Sequence, residues 1–325
     1  MKRWRSVLLA CCWVGAATAA PRKVALVLPG PVNDLSWNGA ALKGLQEACK
    51  GKGWEIQYQE NVKDADAERV IRGYASEGAD LVLAESFNYQ DATIRVAKDF
   101  PKICFATATG YKTAADGHDC PKNHAVYDWP AHHAGYLTGV LAALMTKTGT
   151  VGFVGGYEVP DIIRQAEGYK QGVKATKPEA KTRVVYLGSW SDTAKGREAA
   201  LSLIDLGADV IAQGADGPGV GAIVACKEKG VKAIGYVADQ NRIAPKHVIT
   251  SVLLVKRVAY QKLLETVEEG SFESKAYLFD MLDQGVALAP YHGLVPDAVK
   301  KKLDQAEADI RAGKIQVEER LTSTE

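Results

Sequence analysis

A single order of alternating strands and helices occurs twice in this chain, and a repeat of that size limits the possible folds more than any other feature. From Val24 the pattern is strand, helix, strand (Glu55 to Gln59), helix (Ala67 to Glu77), strand (Asp80 to Glu85), helix (Ala92 to Asp99) and strand (Ile103 to Thr107). From Val151 it runs strand, helix (Ile162 to Ala175), strand (Arg183 to Leu187), helix (Ala194 to Leu206), strand (Asp209 to Gln213), helix (Gly219 to Lys229) and strand (Ala233 to Val237). Even the wording agrees. Gly78-Ala79-Asp80-Leu81-Val82 is answered by Gly207-Ala208-Asp209-Val210-Ile211, 54 residues after Val24 and 56 after Val151 respectively. Strands that alternate with helices form mainly parallel sheets, so the class is α/β: two similar doubly wound parallel-sheet lobes joined by a hinge.

Residues 1–19 stand outside that pattern. Lys2, Arg3 and Arg5 precede an apolar stretch from Val7 to Ala16, and Ala17, Thr18 and Ala19 supply small residues for cleavage. This is the pattern of a secretory signal peptide, so the mature chain is expected to be soluble in the periplasm. Leu8 to Cys11 resembles a lipobox, but the apolar stretch before Cys11 is short, and a lipid anchor is the lesser expectation. The roughly 305 remaining residues suit two domains rather than one core. The expected division is 20–128 plus about 240–275 for lobe 1, and 129–239 plus about 276–325 for lobe 2.

A formal net charge of +1 and the lack of a basic stripe argue against a nucleic-acid partner. Cys11 and Cys12 leave with the leader. The spacing of Cys49, Cys104, Cys120 and Cys226 fits no zinc site, and Cys104 and Cys120 are candidates for a disulfide that closes the loop between them. Cys49 and Cys226 read as buried thiols.

In doubly wound sheets, ligands bind outside the carboxyl ends of the strands. That rule selects Asn33 to Asn38, Asn61, Ser86 to Tyr89 and Thr107 to Tyr111 in the first half, and Gly155 to Pro160, Gly188 to Asp192, Gly214 to Gly219 and Val237 to Arg242 in the second. These loops carry aromatic, small and uncharged hydrogen-bonding residues and no cluster of cations. A flat, uncharged ligand fits them better than a phosphate or carboxylate. Trp37 suits a stacking platform, Asp34 a ligand contact or helix cap, and Ser86 and Asn88 polar contacts. His132 and His133 adjoin a helix start and read as solvated or capping residues. Asp192 and Asp216 read as turn and cap residues, and Asp128 as a crossover residue that bonds either a ligand or the hinge.

At these loops the chain resembles the Bmp family (basic membrane lipoproteins), substrate-binding proteins of ABC importers. The resemblance is carried by Asn33-Asp34-Leu35-Ser36-Trp37-Asn38, Gly188-Ser189-Trp190-Ser191-Asp192, Gly214-Ala215-Asp216-Gly217, Ala238-Asp239 and Ser251 to Arg257. It implies the type I periplasmic-binding-protein fold, a purine nucleobase or nucleoside as ligand, and a permease and ATPase as partners of a monomeric receptor. It also implies that Trp37 and Trp190 sandwich the base, that Asp239 and Lys256 hold ribose hydroxyls, and that Gly214 gives a backbone contact; Asp34, Asn38, Ser86 and Asn88 are candidate contacts by their places in the loops. Nucleoside-type members often end the fourth strand with Asp, where this chain has Ala106-Thr107-Ala108-Thr109; Thr107 is a hydroxyl contact rather than a fixed carboxylate.

No cofactor, metal or catalytic group is expected. Ser36 and Ser189 lack a nucleophile-elbow context, and no His falls among the predicted cleft loops. The alternative reading is a sensor receptor for another small planar or sugar-like ligand. Near the end of the chain, Val248 to Leu254 is predicted as a strand, Ala259 to Glu269 as a helix returning to the first lobe, Ala276 to Leu288 as a last strand pair, and Pro296 to Ala312 as an amphipathic surface helix. The polar segment 318–325 is expected to fray.

Overall fold

Residues 21–324 are described by a computed structural model; the leader and lipobox at 1–19 lie outside the described residues. Aliphatic runs form buried central strands, and most strands of each repeat are followed by a helix that covers a sheet face. In the first half these are β1 (Arg22–Val27), α1 (Trp37–Cys49), β2 (Trp54–Gln59), α2 (Ala67–Ser76), β3 (Leu81–Ala84), α3 (Gln90–Asp99), β4 (Cys104–Ala108) and β5 (His124–Asp128). In the second they are α4 (His132–Met145), β6 (Thr150–Gly155), α5 (Pro160–Thr176), β7 (Lys181–Tyr186), α6 (Thr193–Asp205), β8 (Val210–Gly214), α7 (Asp216–Lys229), β9 (Lys232–Val237) and β10 (Val248–Leu254). The chain closes with α8 (Lys256–Glu269), β11 (Ala276–Leu278), β12 (Val286–Leu288) and α9 (Asp297–Arg311).

Two six-stranded sheets result, ordered β11-β5-β4-β3-β1-β2 and β12-β10-β9-β8-β6-β7. The orders superimpose term by term, so the repeat in sequence is a repeat in topology. Every pairing is parallel except β12 against β10. In each sheet the order reverses beside the first strand of the repeat, between β1 and β3 and between β6 and β8. The loops after those strands therefore open onto a crevice that helices do not cover.

Several expectations give way here. The strand β5 follows a long polar loop and has His124 and Asp128 at its ends, so its short apolar centre left no periodic signal. The return expected near residue 240 comes later: β10 pairs with β9 in the second sheet, and the chain crosses only at Val255. Ala276 to Leu288 is not a strand pair. Its first part, β11, joins β5 in the first sheet, and its second part, β12, joins β10 in the other, so the chain crosses a third time between them. A three-residue strand has too few side chains to encode which edge it will join. Cys104 and Cys120 carry free thiols instead of a disulfide, as do the buried Cys49 and Cys226. The loop between Cys104 and Cys120 is held without a covalent link, by Lys98–Asp119 at 2.8 Å and Ala115 N–H donating to the Ser274 carbonyl at 3.0 Å.

The C-terminal segment is tied down rather than frayed. Glu318 and Gln171 exchange hydrogen bonds of 3.0 and 2.8 Å, and Thr324 N–H donates to Glu167 at 3.0 Å. Glu167 lies buried on α5, and a buried carboxylate needs donors, which the polar tail and Lys170 provide.

Candidate functional site

The crevice edge is where the backbone is most strained. Leu35, Asn61 and Thr109 follow β1, β2 and β4 at φ of 60°, 57° and 51°, Asp216 opens α7 just after β8 at 45°, and Val237 ends β9 at 68°. A β-branched residue such as Val237 in that region is an outlier, and such strain gathers at functional sites.

The loop after β1 is built around Asp34. Its carboxylate accepts from the backbone N–H of Ser36, Asn38 and Gly39 at 2.8 to 3.0 Å and from the Asn38 amide at 2.7 Å. Four donors fill it, so Asp34 caps α1 from two residues before Ser36. Asn38 is equally occupied, since its carbonyl accepts from Gly30 N–H at 3.1 Å and its side chain is buried. Ser36, with no capping bond of its own, turns across the crevice and donates to Asp216 at 2.7 Å. Burial, reinforced by the nearby Asp34 charge, pushes the Asp216 carboxyl up to about 6. A second tie runs from the Gln240 amide to the Leu35 carbonyl at 3.2 Å. Gly217 N–H donates to the Trp190 carbonyl at 3.2 Å. The loops that bear Trp37 and Trp190 are thus connected through Ser36, Asp216 and Gly217.

Trp37 is half-buried. Its indole N–H donates to the Glu85 carbonyl at 2.9 Å, and Trp129 meets it edge-on at 5.8 Å. Trp190 is 37% exposed, tilts against Tyr157 at 5.2 Å and lies on Gly156, where a Cβ would stand 2.2 Å from the ring. Only glycine leaves room for that indole.

Lys256, the first residue of α8, differs most from expectation. Its ammonium is buried and bonds Glu85 at 3.0 Å, with its nitrogen 3.1 Å from the Trp37 ring centroid and 3.8 Å from that of Trp129. The Glu85 carboxylate, itself fully buried, also accepts from the hydroxyls of Tyr127 and Tyr260. Burial raises both phenols well above their ordinary range, so they stay neutral donors, and it lowers the Lys256 ammonium against the opposing pull of Glu85. The sequence contained a signal for Glu85 that went unused: a carboxylate that ends the aliphatic run Leu81 to Ala84 must find a partner cation when the strand is buried.

The other predicted residues divide. Gly214, at the end of β8, gives its carbonyl to Gly156 N–H at 2.9 Å. Asp239 is exposed beyond β9 and pairs with His292 at 3.0 Å. Ser86 stays at the rim, where it accepts from Asn88 N–H at 3.2 Å; Asn88 turns outward to Asp64 at 2.8 Å. Thr107 is fully buried within the first sheet and bonds His124 at 3.0 Å, on the same side of the strand as Phe105. Strand alternation points it there. Asp128 bonds Trp129 N–H at 2.7 Å and pairs with Arg164. His132 is buried in the first turn of α4 rather than solvated, with the His133 ring 4.0 Å away. Asp192 caps α6 by accepting from Lys195 N–H at 3.1 Å. Burial holds the His124 imidazole down at about 4, so its ring protons are expected to titrate by NMR well below those of an exposed histidine. Titration near 6.5 would contradict the buried Thr107 contact.

No group of three or more His, Cys, Asp or Glu side chains suited to a metal occurs among the described residues, and no described helix is long and apolar enough to cross a membrane.

The family model Bmp, described as ABC transporter substrate-binding protein PnrA-like, matches residues 22–320. A purine-binding protein of Brucella abortus is 35% identical, with 93% of this chain and 84% of that protein aligned. A Haloferax volcanii ABC transporter protein to which glucose binding is provisionally ascribed is 32% identical over 85% of this chain and 68% of its own. Among solved structures, an ABC transporter solute-binding protein of Conexibacter woesei superimposes with a TM-score of 0.76 at 28% identity, covering 92% of this chain and 99% of that one.

Proposed function

The chain belongs to the Bmp family of ABC transporter substrate-binding proteins, and from that footing we propose that it binds a purine nucleobase or nucleoside between Trp37 and Trp190. It then presents the closed form to a membrane permease and its ATPase, as a monomer outside the cytoplasmic membrane. Members of this family bind solutes and are not enzymes. The observation that carries the ligand reading is the bonded path from Ser36 through Asp216 and Gly217 to Trp190, which ties together the two loops that hold the indoles. Each stacked face contributes roughly 1–3 kcal/mol. Two faces supply a useful share of the roughly 8 kcal/mol that micromolar binding needs. Both are engaged only when the lobes meet, so ligand favours closure. The purine-binding relative from Brucella supports the same ligand class.

A thermal-shift screen of bases, nucleosides and sugars tests this. Ligand at 100 times its dissociation constant adds about 2.7 kcal/mol, with quenching of tryptophan fluorescence expected alongside. Trp190→Ala, whose indole makes few other contacts, is expected to weaken the best ligand by roughly 5- to 150-fold in calorimetry. Unchanged affinity would sink the sandwich. A sugar is the second reading, favoured by the glucose binding ascribed to the Haloferax relative, and glucose in the same screen separates the two.

A further inference from the structure

Behind Trp37 lies a charge pair that no stacking role requires. Lys256 and Glu85 are both sealed from solvent, at 1% and 0% side-chain exposure, and lie 171 residues apart in sequence. An ammonium that could have reached the ligand is turned into the protein. One N–H goes to Glu85, and the nitrogen lies against the faces of two indoles. The carboxylate is fixed in turn by two neutral tyrosine hydroxyls, so the cluster carries no net charge. Its position is set by close packing: a Cβ on Gly44 of α1 would stand 2.6 Å from the Lys256 Cβ, so the lysine stem lies against the helix that Trp37 begins.

We propose that Glu85 sets the charge selectivity of the site: by neutralising Lys256 behind the Trp37 ring, it makes the gap accept an uncharged planar ring and removes any preference for an anionic one. The inference rests on the reading that the ligand stacks on Trp37. It concerns a residue that touches the ligand only through others, so Glu85 is a positioning residue. A uniform loss of binding would not distinguish that role from a structural one; a change between variants in the preference for a neutral over an anionic purine does.

The experiment compares hypoxanthine, neutral, with urate, a monoanion of similar outline, by calorimetry at neutral pH and low salt. Wild type is expected to bind hypoxanthine at least as tightly as urate. Glu85→Gln leaves the ammonium uncompensated one ring away from the ligand and is expected to shift the ratio towards urate by about tenfold. Lys256→Met leaves the carboxylate and is expected to shift it the other way, so either folded single variant is decisive. The double variant, neutral again, is expected to return to within about threefold of wild type. Equal losses for both ligands in a folded single variant overturn the proposal, as does a double variant that keeps the Glu85→Gln ratio. If wild type binds glucose and neither base, the sandwich reading fails on its own, and glucose against glucuronate gives the same comparison of charge. A wild type that binds none of the four compounds and no other base or nucleoside in the screen overturns both.

Discussion

Lys256→Met is expected to cost about 3–5 kcal/mol of folding stability, measured by urea unfolding at neutral pH, because it strands the Glu85 carboxylate in the interior. Two tyrosine hydroxyls remain as donors, but neither carries a charge to offset the carboxylate. The attraction within such a pair does not by itself imply net stabilisation over an apolar core. Bringing both ions out of water is costly, and a well-packed neutral replacement is often no less stable. Adding Glu85→Gln to Lys256→Met is therefore expected to recover most of the loss. A single variant that unfolds within about 1 kcal/mol of wild type would mean that water reaches Glu85.

The second large effect concerns the crossing of α4 and α5. Each helix presents two glycines one turn apart, Gly135 and Gly139 on α4 and Gly168 and Gly172 on α5, and each lies on a backbone carbonyl of the other helix. A Cβ would stand 2.3 Å from the Gln165 oxygen, 2.1 Å from Tyr169, 2.2 Å from His132 and 2.0 Å from Tyr136 in that order. The obstacle is main chain, so no rotamer change relieves it and the helices must separate. Gly172→Ala is expected to cost about 3 kcal/mol, at the upper end of overpacking penalties. In a chain of this size that lowers the melting temperature by about 5 °C. Gly73→Ala supplies the opposite sign. This glycine lies in the interior of α2 with nothing within 4 Å of a Cβ, so the methyl group only removes chain entropy and is expected to stabilise by up to about 1 kcal/mol. Equal effects at the two positions would refute the close approach of α4 and α5.

That crossing also shows what a linear reading misses. Gly135 and Gly139 are spaced as a helix requires, but spacing alone does not say that another backbone approaches them. Thr107 gives the same lesson for strands. Its place near the carboxyl end of β4 made it a candidate contact, but alternation along the strand turns its hydroxyl to the covered face and to His124. Asp34 was legible as a cap because capping is local, within five residues. Ser36 was not legible as a link between lobes, because its partner Asp216 is 180 residues away.

The alternation of strands and helices, the duplication of that pattern and the loops that edge the crevice were legible along the chain. These follow from side-chain periodicity and turn chemistry, which act over a few neighbouring residues. Packing in three dimensions set which sheet β10, β11 and β12 join, that Cys104 and Cys120 remain thiols, and that Lys256 meets Glu85 across 171 residues. The physical reason is that a buried charge takes the nearest counter-charge in space. Nearness in space between segments 171 residues apart is set by the packing of the whole chain.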